Sequence, residues 1–123
     1  MHVVINHDPT APGEALNIWY RVGSADEQPG ATGFAHLFEH LMFTGSAQVA
    51  ASEHLSLLES IGGSANATTS FDRTNYFETV PPGALDLALW LEGDRLGSLT
   101  ISDESFATQR EVVKEEKRQR YDN

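Results

Sequence analysis

The chain has no cysteine, which excludes disulfide cross-links and thiol catalysis and leaves the redox compartment open. No stretch approaches the roughly 18 consecutive apolar residues of a spanning helix, so no membrane span is expected. The start lacks the charged-then-apolar pattern of a secretory signal, and localisation, cytoplasmic or exported, stays open. Basic residues are scarce: 8 Lys and Arg against 18 Asp and Glu give a net charge of −10. That balance argues against nucleic acid or an anionic membrane surface as partner and favours basic peptides. Five of the basic residues lie between Arg110 and Arg120, so the chain before them is more acidic still. No internal repeat, low-complexity tract or linker breaks the sequence. With 123 residues, 40% of them hydrophobic, it can bury one core and form one folded unit or part of one.

What the chain does contain is His36-Leu37-Phe38-Glu39-His40. Residues three and four apart are neighbours on a helix, so His36 and His40 can aim their nitrogens at one ion with Glu39 beside it. The order His-x-x-Glu-His is the inverted zinc-peptidase signature. The plainer reading makes both histidines core residues among Leu37, Phe38, Leu41, Met42 and Phe43. Against it, the pattern is expected by chance in only about a few chains of this length per thousand.

A hydrolytic zinc site needs a third protein ligand and one open position for water. His2 and His7 lie in an N-terminal strand region and His54 opens a separate helix, so none is placed locally to complete the set. An acidic ligand fits better, and the run Arg110 to Arg120 offers Glu111, Glu115 and Glu116. Spacing does not choose among them, and each has the ordinary alternative of a solvated helix charge.

Periodicity predicts the order β-β-α-α-β-β-α-α. His2 to His7 reads as a strand ended by Asp8-Pro9, and Ala15 to Gly23 as its hairpin partner, with Leu16, Ile18, Tyr20 and Val22 on one face. The motif helix spans about Gly33 to Phe43. A second helix runs to Ile61 with Ser52 as N-cap. Ser64 to Ser70 and Arg73 to Val80 form a hairpin turned at Phe71-Asp72. Pro81-Pro82-Gly83 opens a helix through Leu96, and the last helix starts near Ser102. The fold class is therefore α+β: antiparallel hairpins in one sheet, with the motif helix and the last helix meeting over one face.

Several separated blocks resemble the inverzincin metallopeptidases, the family of pitrilysin, insulin-degrading enzyme and the mitochondrial processing peptidase. They are Gly33 to Ser46, Gly62 to Ala67 followed by Thr74-Asn75-Tyr76, Leu87 to Arg95, and Arg110 to Val113. The resemblance spans essentially the whole chain. It implies that residues 1–123 are the N-terminal portion of a longer metallopeptidase catalytic domain. It also implies a zinc ion held by His36, His40 and Glu116, the last lying 76 positions after His40, with Glu39 as the base that activates water. One departure is Gln109, where some relatives carry a second glutamate. A neutral amide there can orient a ligand by hydrogen bonding but adds no charge.

The resemblance further implies a peptide substrate added as a strand beside Asn66 and Ala67, whose ordinary alternative is an exposed strand of small residues. It implies as well a second homologous domain or subunit that completes the active site. The function expected is a zinc-dependent endopeptidase unit acting on peptides or small unfolded proteins. The alternative is a catalytically silent structural or peptide-binding subunit of the same family. Silent members generally lose part of the metal motif, and here His36, Glu39 and His40 are all present.

Overall fold

In the computed structural model, residues 1–121 are described. Asp122 and Asn123, which close the expected span 1–123, lie outside them. The elements are β1 (Glu14–Tyr20), a short 3-10 turn (Ser24–Asp26), α1 (Phe34–Leu41), α2 (Glu53–Ser60), β2 (Ser64–Thr69), β3 (Thr74–Val80), α3 (Leu85–Ser98) and α4 (Asp103–Tyr121). The class is α+β, and from β1 onward the order follows the sequence pattern.

The strands form one antiparallel sheet in the order β1-β3-β2. β3, Thr-Asn-Tyr-Phe-Glu-Thr-Val, is rich in β-branched and aromatic residues and takes the centre. Side chains alternate across it, and register places Leu16, Ile18 and Tyr20 of β1 opposite Glu78, Tyr76 and Thr74. Ala65, Ala67 and Thr69 of β2 flank the same three residues. This face lies under the helices. The core gathers Val49, Leu58, Val80, Ala88 and Leu91, all buried.

One expectation is corrected here. Residues 2–7 form no strand, and Val3, Val4 and Ile5 stay exposed. β1 pairs with β3 instead. Alternation marks a segment as a strand but carries no information about its partner. Leu16, Ile18 and Tyr20 find a buried row on β3, whereas residues 2–7 offer no packed face.

Ser52 does occupy the N-cap position of α2, but its hydroxyl makes no capping hydrogen bond. Its backbone is left-handed, with φ of 66°, and the carboxylate of Glu53 takes the Ala50 N–H at 2.7 Å instead. The third helix also begins later than Pro81. Glu14 of β1 accepts from Gly83 N and Leu85 N, each at 3.1 Å, and so caps α3 from the sheet.

Candidate metal centre

α1 is only eight residues long, and its start is held from outside. Gly33 takes a left-handed φ of 95° and has no side chain with which to cap. The carboxylate of Glu27 supplies the cap, accepting from Gly33 N at 2.8 Å and Ala35 N at 2.9 Å. A negative charge there also complements the positive end of the helix dipole. Leu37 and Leu41 are buried, which turns His36 and His40 to the flank facing α4.

Three donor atoms converge on that flank. His36 Nε2 and His40 Nε2 are 3.2 Å apart, and Glu116 Oε2 lies 3.4 Å and 3.6 Å from them respectively. Zinc bonds to nitrogen and oxygen of about 2.0 to 2.1 Å place adjacent corners of a tetrahedron about 3.3 Å apart. The three edges match one face of such a tetrahedron, so the donor set fits a zinc-sized ion in both spacing and chemistry. Side-chain exposures of 34% for His36, 19% for His40 and 48% for Glu116 leave this donor set accessible to solvent.

Gln109, one heptad before Glu116 on α4, places Oε1 3.3 Å from His40 Nδ1. An amide oxygen can only accept, so His40 donates from Nδ1 and presents the lone pair of Nε2 to the centre. The other two candidate glutamates, Glu111 and Glu115, point elsewhere. Glu111 pairs with Arg110 and Lys114, and Glu115 with Arg118. His2 and His7 are exposed and far along the chain from these partners, while His54 is buried against Glu78.

Glu39, on the adjoining flank of α1, is half-buried, and its Oε2 accepts a hydrogen bond from Thr69 Oγ1 at the end of β2. A pocket of about 580 Å³ abuts Glu39 on the other side, walled by Tyr20, Phe34, Phe38, Met42 and Tyr76. Asp26 and Glu27 also line it, and their carboxylates are taken by the Gly23 N–H and by the Gly33 and Ala35 N–H groups respectively.

Asn66 and Ala67 sit on β2, which among the described residues is an edge strand paired only with β3. Ser70 N donates to Arg73 O at 2.8 Å across the turn. Hydrogen-bonded pairs alternate in an antiparallel ladder, so the bonded pairs continue at Thr68–Asn75, Asn66–Phe77 and Ser64–Thr79. Backbone groups of Ala65, Ala67 and Thr69 therefore face the free edge. Asn66 turns its own Oδ1 onto the Ala67 N–H at 2.8 Å.

Sequence reasoning missed Thr69 and Glu27. Thr69 carried one signal: it continues the inward row Ala65, Ala67 as a polar residue. Glu27 lies in an irregular loop and carried none.

A second cluster of potential donors, His54, Glu78 and Glu92, is fully buried behind α1. It is already compensated. His54 Nε2 meets Glu78 Oε1 at 2.6 Å, and Arg95 grips Glu92 with two N–H groups. The guanidinium is itself stacked between Tyr76 at 4.4 Å and Phe43 at 5.0 Å. Burial pushes the Glu92 carboxyl up to about 7, with Arg95 opposing and Glu78 adding to the rise. The cluster ties α2, β3 and α3 to the end of the motif helix, and of its buried atoms Glu78 Oε2 and Arg95 Nη1 have no hydrogen-bond partner among the described residues.

The sequence pattern of the insulinase family, peptidase family M16, matches residues 2–123. The chain belongs to this family. It is 40% identical over 108 residues to a Helicobacter pylori protein named zinc protease PqqE, covering 88% of this chain and 24% of that one. It is 30% identical over 116 residues to an uncharacterized zinc protease of Bacillus subtilis, YmxG, covering 94% and 28% respectively. Among solved structures, a protease from Helicobacter pylori superposes with a TM-score of 0.87 at 38% identity, covering 91% of this chain and 27% of that chain. Pitrilysin superposes with 0.78 at 28% identity, covering 84% and 11%. The chain thus spans about a quarter of the length of the curated relatives it matches. Among the described residues no helix is long and apolar enough to cross a membrane.

Proposed function

We propose that this chain carries the metal-binding part of a zinc-dependent endopeptidase that hydrolyses peptides or small unfolded proteins. The observation that carries the reading is the convergence of His36 Nε2, His40 Nε2 and Glu116 Oε2 at 3.2 to 3.6 Å, with a non-ligand carboxylate beside them. Relatives named zinc proteases support the choice of metal and of chemistry.

His36, His40 and Glu116 would hold the ion, and Gln109 would keep His40 in the tautomer that offers Nε2. A zinc ion there supplies Lewis acidity, lowering the pKa of water toward neutrality and polarising the scissile carbonyl. Glu39 takes a proton from the attacking water as the carbon–oxygen bond forms. It returns that proton to the amine nitrogen as the carbon–nitrogen bond breaks, and so ends the cycle ionised again. The free edge of β2 receives the substrate as an added strand, with Ala67 N–H and the neighbouring carbonyls as partners. Backbone pairing of this kind grips peptides with little side-chain selectivity. A second homologous domain or subunit closes over the substrate, in keeping with relatives about four times as long.

Substituting Glu39→Gln tests the assignment in the full-length protein. Zinc content should stay at the wild-type level while peptide hydrolysis falls by about 10²-fold or more. A variant that keeps its hydrolytic rate would remove Glu39 from the role of base. A wild-type protein that binds zinc yet cleaves no unfolded peptide would favour the silent, peptide-binding alternative.

A further inference from the structure

Thr69 closes β2 on the side that faces the helices, and its hydroxyl donates to Glu39 Oε2, joining residues 30 positions apart. A hydroxyl has one proton to give. Thr74, directly opposite in the register, commits its own to Val22 O at 3.0 Å. The 3.4 Å approach of the two threonine oxygens is therefore a contact that seats Thr69, and it does not draw the Thr69 proton from Glu39. β-branching restricts Thr69 to few rotamers, so the donor direction is stiff.

The loop between β1 and α1 fixes the spacing of the two residues. Ser24 N and Ala25 N donate to Ser70 O and Phe71 O, at 2.9 and 2.8 Å, in the turn that follows Thr69. Glu27 then grips the start of α1 through Gly33 and Ala35. A Cβ at Gly23 would lie 2.6 Å from the Phe71 carbonyl carbon, so the close docking of loop on turn needs glycine there. Hairpin end, loop and motif helix form a closed ring, and the Thr69–Glu39 bond is its last link.

We propose that Thr69 is a positioning residue for Glu39, anchoring one carboxylate oxygen so that the other is held ready to exchange the proton. The proposal rests on the reading of Glu39 as the base. A glutamate turns about three side-chain bonds, and a reacting group misplaced by about 1 Å can cost as much as hundredfold in rate.

The test compares Thr69→Val, which keeps the shape and removes the hydroxyl, with Thr69→Ser, which keeps the hydroxyl. Thr69→Ala replaces the valine variant if that fails to fold. In the zinc-loaded full-length protein, loss of the hydroxyl should lower kcat about tenfold or more with KM within about twofold, and serine should stay within about threefold of wild type. Zinc content should be equal in all. In crystals of the metal-free proteins, Glu39 should hold one rotamer in wild type and Thr69→Ser and several once the hydroxyl is gone. Unchanged kcat with an unmoved Glu39, or a serine variant as slow as valine, overturns the proposal. A wild-type protein that hydrolyses no peptide sinks the functional reading instead, and the metal-free rotamers still decide whether Thr69 holds Glu39.

Discussion

His40 Nδ1 and Gln109 Oε1 face each other at 3.3 Å, joining the motif helix to α4 on the side of the imidazole away from the candidate metal position. The bond fixes both the ring orientation and the tautomer. Partners of this kind typically change metal affinity by about 10- to 100-fold when removed. Gln109→Ala should therefore weaken zinc binding by about tenfold or more, measured by competition with a calibrated chelator, while Gln109→Glu should bind at least as tightly as wild type. Equal affinity in all three would show that the amide plays no part in the site.

How much of this was readable beforehand follows from how local each feature is. His36, Glu39 and His40 lie within one helical turn, so their shared flank follows from helix geometry alone. Glu116 was one of three candidates by spacing. Only the packing of α4 on α1 turns it toward the histidines while Glu111 and Glu115 take cationic neighbours of their own. Strand periods gave β1, β2 and β3, but the partner of β1 depends on which buried row it meets, and no local pattern encodes that. Periodicity puts Thr69 on the inward row of β2 but does not show its partner, and Glu27, in an irregular loop, is not visible in periodicity at all.

The edge geometry of β2 allows a selective test of strand addition. Ala67 N–H faces away from β3, so Ala67→Pro deletes an edge donor without removing a bond of the sheet, a position where proline is tolerated. Thermal stability should stay within a few degrees of wild type while KM for peptides rises about tenfold, the loss of one backbone hydrogen bond of about 1 to 1.5 kcal/mol. An unchanged KM in a folded Ala67→Pro protein would count against substrate pairing at this edge.

The buried cluster behind α1 makes stability depend on pH. Burial raises Glu92 from its ordinary 4.5 to about 7, so the folded state holds this proton more tightly than the unfolded state. Its contribution to stability is therefore largest below about pH 4.5 and declines as pH rises to about 7. Glu78 adds to the shift by its negative charge. Glu78→Gln should flatten the decline between pH 4.5 and 7 relative to wild type, with melting temperatures compared at each pH. Parallel curves for the two proteins would show that Glu78 does not bias the Glu92 proton.

One centre made by His36, His40 and Glu116 underlies the proposed chemistry. Its most direct test is the zinc content of the purified protein, measured beside His40→Ala and Glu116→Ala loaded with the same limited zinc and confirmed folded by circular dichroism. About one zinc per chain in wild type, with at least tenfold weaker binding in both variants, is the predicted result. A folded wild-type protein that takes up no zinc, or variants that hold zinc as tightly as wild type, would contradict it.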